Sequence, residues 1–242
     1  MNQNELNALG RACAYSFSPN KLGYCGPEGS WHAFEEFLSA PTEQNAIAAM
    51  EALRKFYALY PYLELIAAAN DLQPFDAEVI EAYWIGNELL NNVQYSEIQK
   101  TILSFQKFGL PRSIVEKKAA ELPDAMLPHH SMHVLYVNFI SPKLKPIIEN
   151  LSNCLIQWAQ VKAQAKNGIK VKGLELFAES NELKLREKEK TVQNQFNLQL
   201  QPGDLISVHW QNAVEKISFD ELKSLRKFTE QTIIAISGAS HA

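Results

Sequence analysis

The sequence is short of cysteine, of clustered positive charge and of long apolar runs, and each shortage excludes something. Only three cysteines, Cys13, Cys25 and Cys154, occur in 242 residues. They are odd in number and show no CxxC spacing, which fits neither a secreted disulfide framework nor a structural zinc site read from spacing. A reducing cytoplasm is the expected home. The formal net charge is -4, with Lys and Arg scattered, so the basic footprint of a nucleic-acid binder is missing and nucleic acid is not an expected partner. No window approaches about 18 uninterrupted apolar residues. Met1 to Leu6 show no basic segment leading into an apolar one, so neither a membrane span nor a standard export signal is expected. A phosphate-cradling glycine loop, a Gly-x-Ser-x-Gly elbow and a His-Glu-x-x-His pair are also missing. Nucleotide binding, nucleophile-elbow hydrolysis and zincin chemistry thereby lose their simplest support.

What is present suffices for a core, since 46% of residues are hydrophobic and 10% aromatic. From Asn4 to about Lys166 apolar residues recur at three- and four-residue steps, as in Ile47, Met50, Leu53 and Tyr57, which predicts helices. Pro41-Thr42, Tyr60-Pro61, Pro74-Phe75-Asp76 and Gly109-Leu110-Pro111 punctuate them. Ile148, Leu151, Leu155 and Trp158 extend the pattern, so Ile147 to Ala165 reads as one long helix ending at Lys166-Asn167-Gly168. After Gly168 the period becomes two, through Ile169, Val171, Leu174, Leu176, Leu183 and Leu185, which predicts short strands. Ser180-Asn181 and Gln201-Pro202-Gly203-Asp204 read as turns, and Leu205 to His209 as the clearest strand. Ser218 with Glu221 forms a capping box that opens a last helix. The expected architecture is α+β: an all-helical domain over residues 1–166, then a small β-barrel over residues 167–242 with a C-terminal helix.

Several side chains are candidates for chemistry. Cys25 lies in Leu22-Gly23-Tyr24-Cys25-Gly26-Pro27-Glu28-Gly29, a loop that leaves a thiol open to bind iron or react, or is simply a tight connection. Cys13 and Cys154 fall among helical apolar residues and read as buried small hydrophobes. His129, His130 and His133 form His-His-Ser-Met-His. On a helix, His129 and His133 would share a face at metal-binding spacing. Pro128 and the run Val134 to Phe139 also suit an extended segment, which would set the two about 13 Å apart. Glu81, with Glu78 and Glu88 on the predicted helix Ala77 to Leu90, could join a carboxylate-histidine iron site. No Glu-x-x-His accompanies them, and a solvated face is the plainer reading.

The stretch Gln201-Pro202-Gly203-Asp204-Leu205-Ile206-Ser207-Val208-His209-Trp210-Gln211-Asn212-Ala213-Val214, followed by an acidic, leucine-bearing helix, resembles the C-terminal half of HypC-type [NiFe]-hydrogenase maturation chaperones. Gly203-Asp204, Val208-His209 and Ala213-Val214 match the pattern, while Trp210-Gln211-Asn212 depart from it. The resemblance implies a HypC or OB-like barrel and an accessory role in hydrogenase assembly, with maturation proteins or the hydrogenase large subunit as partners. In that family iron is carried by a cysteine directly after the initiator methionine, with the motif histidine nearby. His209 takes the histidine position, but Lys166-Asn167-Gly168-Ile169 offer no cysteine at the expected start of the barrel. Strand alternation is expected to turn His209 outward, toward a partner or a metal, and Trp210 into the barrel. The whole chain, with its Phe17 to Pro27 opening, also resembles an uncharacterised bacterial family, which implies a link to hydrogenase genes. The alternative is a non-haem iron enzyme built on Cys25, the three histidines and Glu81.

Overall fold

A computed structural model describes residues 1–138, 145, 147–180 and 182–239. The architecture is α+β, with a helical layer packed on one five-stranded antiparallel sheet. The helical layer begins with α1 (Gln3–Lys21), α2 (Ser30–Ser39), α3 (Glu43–Leu53), α4 (Tyr60–Ala68) and α5 (Ala77–Trp84). It continues with α6 (Tyr95–Ser104) and α7 (Arg112–Ala120). The punctuation expected from sequence is realised chemically. Thr42 caps α3 by accepting from the Asn45 amide, and Asn2 forms a capping box with Glu5 at α1. Asn87 instead opens a short 3-10 turn, Glu88–Asn92, so the predicted helix stops at Trp84.

The segment after Leu127 corrects the histidine reading. α8 (His130–Met132) is a single turn running into a π-helical turn, His133–Val137. The strand-compatible reading of Val134 onward therefore fails for 134–137, and Phe139 lies outside the described residues. A second correction follows: α9 (Ile148–Cys154) is short, and the residues after it form β1 (Gln157–Ala165) rather than more helix. Gln157, Ala159 and Val161 are buried and Gln160 and Lys162 exposed, so a two-residue period had been hidden inside a three-to-four-residue one. Helix gives way to sheet at Gln157, ten residues ahead of the boundary expected at 167.

The remaining strands are β2 (Gly168–Glu179), β3 (Glu182–Val192), β4 (Leu205–His209) and β5 (Asn212–Lys216), in sheet order β3-β2-β1-β4-β5. Glu179 pairs with Glu182 across the β2–β3 turn, where Ser180 takes φ 52° and Asn181 lies outside the described residues. The predicted turn at Gln201 to Asp204 forms, with Gly203 at φ 96°. α10 (Phe219–Ala239) follows the Ser218–Glu221 capping box, whose two hydrogen bonds measure 2.7 and 3.1 Å. The sheet is not closed. It curls over a small core of its own, with Ala159, Val161, Ile169, Val171, Val192, Ile206, Val208 and Ala213, and its edges meet at one isolated bridge, Gln193 to Asn212.

The helical layer and the sheet share a core. Ile156, Val214, Ile217, Leu225 and Phe228 lie in the same buried cluster as the residues of α1 to α6. Polar ties reinforce the seam: the Tyr15 hydroxyl hydrogen-bonds Ser207 Oγ at 2.8 Å and Glu215 Oε1 at 2.7 Å. Arg11 pairs with Glu215 and Glu221 at 2.7 and 2.6 Å. No helix among the described residues is long and apolar enough to cross a membrane.

Candidate metal centre

Three side chains converge on this seam from three parts of the chain. His130 comes from the turn α8, Cys154 from the end of α9, and His209 from the end of β4. One ligand atom from each lies within 4.8 Å of the others, a spacing at which a single ion can touch all three. Beside them is a cavity of about 30 Å3, walled almost entirely by apolar surface including Phe56, Leu59, Trp84, Val134 and Trp210. That is room for an ion or a water-sized molecule and too little for a metabolite.

The alternation predicted for β4 holds, but its outward face is covered. Ile206 and Val208 enter the sheet's own core, while Ser207 and His209 face the helical layer, with His209 2% exposed. His209 Nδ1 lies 2.8 Å from the Tyr15 carbonyl oxygen. A carbonyl only accepts, so Nδ1 carries the proton and Nε2 presents a lone pair. That Nε2 is buried without a hydrogen-bond partner, an arrangement that normally calls for an explanation. A tied Nδ1–H with a bare Nε2 is how proteins orient a metal-binding imidazole.

His130 is held by both ring nitrogens: Nδ1 is 3.0 Å from the Tyr83 hydroxyl, and Nε2 2.9 Å from the Cys154 carbonyl oxygen. Tyr83 in turn hydrogen-bonds the Ala58 carbonyl. The Cys154 carbonyl only accepts, so Nε2 carries the proton, and Nδ1, facing the Tyr83 hydroxyl, holds the lone pair that His130 can offer a metal. Trp84 stacks on Tyr15 at 4.9 Å and abuts the His130 ring at 4.6 Å, fixing both histidines from the helical side.

Burial sets the protonation states. Desolvation lowers His209 to about 4 and holds His130 well below the usual imidazole range, with His209, His133 and His129 adding repulsion to His130. Desolvation also raises the Cys154 thiol far above its usual range, with the charge of Cys25 adding to it and the Trp210 indole opposing. Both imidazoles are therefore neutral, as a metal requires, and the thiol keeps its proton until a cation replaces it.

The expected site residues separate on inspection. His129 caps α8 in an extended conformation, so it does not share a helix face with His133. Its ring stacks on Phe228, and its Nδ1 meets Ser131, which reaches Thr232 of α10. Burial lowers it to about 3. His133 meets the Tyr62 hydroxyl at 3.0 Å. It lines the cavity without joining the three. Glu81 turns away to Asn87 at 3.5 Å, while Glu78 and Glu88 are exposed, as a solvated face predicts. Cys25 is half-buried rather than open: it lines the same cavity, and desolvation pushes its thiol up to about 12. Trp210, expected to fill a barrel, sits in the β4–β5 turn at φ 49°, packed on Tyr24 over the cavity. Cys13 is the buried hydrophobe expected.

Cys154 was the residue that sequence reasoning missed. It lies three residues ahead of β1, and reading 147–165 as helix had concealed where the sheet begins.

Fold and site together define an α+β protein with a buried Cys/His cluster of metal-binding geometry. The chain belongs to the family of unknown function DUF6390, which matches residues 9–241. No curated protein and no solved structure matches it.

Proposed function

We propose that this protein is a metal-handling factor that binds an ion between Cys154, His130 and His209. We further propose that it serves [NiFe]-hydrogenase maturation in the cytoplasm, holding an iron fragment and docking a maturation protein or the hydrogenase large subunit. One observation carries the reading. The HypC resemblance calls for a cysteine at the start of the small domain and a histidine in the Val-His motif; Cys154 precedes β1, and its sulfur lies within 4.8 Å of ring nitrogens of both His209 and His130. On this reading Cys154 takes the role of the cysteine that 166–169 do not offer. Thiolate and imidazole together suit iron, zinc or copper and not magnesium or calcium. His130, from the helical layer, completes the set of three.

The enzyme alternative has less support. Its residues assemble only in part, since Cys25, His130 and His133 line the cavity while Glu81 and His129 point elsewhere, and the cavity is too small for an organic substrate.

The test is anaerobic purification of the tagged chain from cells that make a [NiFe] hydrogenase, beside Cys154→Ser. The wild type should retain iron and bring down a maturation protein or the large subunit, while Cys154→Ser should lose iron at least about tenfold, equal to about 1.4 kcal/mol. A metal-free wild type, or iron kept equally by Cys154→Ser, contradicts the reading.

A further inference from the structure

The three-residue set leaves a charge to be accounted for. A divalent ion held by one thiolate and two neutral imidazoles carries one net positive charge, and no carboxylate lines the cavity. A charge withdrawn from water into apolar surroundings is strongly disfavoured unless an opposite charge accompanies it. The one further acidic group suited to bind a soft or borderline metal on that cavity wall is the Cys25 thiol.

The loop that carries Cys25 is held in place. The Cys25 amide donates to the Pro19 carbonyl at 3.3 Å. Asn20 Nδ2 donates to the carbonyls of Cys25 and Pro27 at 2.7 and 2.8 Å, and Asn20 Oδ1 accepts from the Trp31 amide at 2.7 Å. Gly26 takes φ 73° against Phe56, where an added Cβ would come within 2.3 Å of the ring. Only glycine therefore lets the loop close on this wall of the cavity. Cys25 and Cys154 line the same cavity.

We propose that Cys25 is the fourth ligand, completing a Cys2His2 site for a divalent transition metal at the seam between helices and sheet. The proposal rests on the Cys154, His130 and His209 site put forward above. Cys25 stands outside the set already within 4.8 Å, and its side chain closes across the roughly 30 Å3 cavity as the ion enters. Two metal–sulfur bonds form, two S–H bonds break, and both protons leave to solvent, so the loaded site is neutral. Four ligands from Cys and His match the closed tetrahedral set of structural and storage sites, with no position left for water.

The experiment loads chelator-treated, reduced full-length protein with cobalt(II) and reads the sulfur-to-cobalt charge-transfer absorption in the wild type and in Cys25→Ser. Two thiolates predict that Cys25→Ser keeps about half the wild-type intensity and binds at least about tenfold more weakly. Equal intensity in the two proteins overturns the proposal and leaves the three-residue site standing. A wild type that binds no cobalt overturns both. A measurement on the wild type alone covers a variant that fails to fold: zinc should block alkylation of both Cys25 and Cys154 by iodoacetamide, mapped by peptide mass. Zinc that shields Cys154 while Cys25 is modified at the metal-free rate counts against the fourth ligand.

Discussion

The two ends of the sheet are built on opposite principles. Where β4 and β5 meet the helical layer, polar groups are few, buried or half-buried, and matched to specific partners: Ser207 to Tyr15, Glu215 to Tyr15 and Arg11, His209 to the Tyr15 carbonyl. At the far end, the β2–β3 ribbon buries one set of side chains and exposes another that is lined with ion pairs. Arg186 and Lys188 reach Glu175 at 2.6 and 2.7 Å, and Lys172 meets Glu187 at 2.6 Å. The contrast shows where specificity resides. Buried polar groups must have the right partner in the right protonation state, whereas solvated pairs can be exchanged at little cost.

The strongest way to break the comparison is at the seam itself. Gly86 follows α5 at φ 94°, and a Cβ there would lie 2.1 Å from the Phe228 ring of α10. Gly86→Ala should destabilise the protein by about 3 kcal/mol or more, combining backbone strain with overpacking. Denaturant unfolding measures it, and a loss under about 1 kcal/mol would mean that the seam yields easily.

Acid should act on the same region. His129 and His209 are held at about 3 and about 4 in the folded chain, against about 6.5 when unfolded. Between those values the unfolded chain binds protons that the folded one refuses. Stability is therefore full above about pH 6.5 and falls as pH drops toward about 4, by up to about 1.4 kcal/mol per unit for each histidine. Unfolding followed from pH 7.5 to 4.5 measures the slope. His209→Gln should make it shallower, and an unchanged slope would mean that His209 takes up protons freely in the folded state.

The exposed side chains of the ribbon should give the smallest effect. Glu175→Gln removes the shared partner of Arg186 and Lys188, yet should cost under about 1 kcal/mol, and less still in high salt. A larger, salt-insensitive loss would erase the distinction between the two ends.

Much of this was legible in the sequence, and the exceptions have physical causes. Helices α1 to α7 announced themselves by apolar spacing and caps, and β4 by alternation between strong turn signals. β1 did not, because Leu151, Leu155 and Trp158 fit a helical stripe while Gln157, Ala159 and Val161 fit a strand, and a short apolar run carries both periods. That ambiguity concealed Cys154. The outward turn of His209 followed correctly from the pleat, but no local pattern says that a second layer covers that face. The histidine cluster pointed to the right segment and the wrong pair, since the chain enters the α8 turn only at His130.

The central claim is that Cys154, His130 and His209 hold a metal ion at the seam, and X-ray absorption at the metal edge of the zinc-loaded protein tests it most directly. The account predicts sulfur at about 2.3 Å and imidazole nitrogen at about 2.0 Å, with sulfur scattering reduced in Cys154→Ser and imidazole scattering reduced in His209→Ala. A shell of oxygen and nitrogen alone, unchanged in both variants, would contradict it.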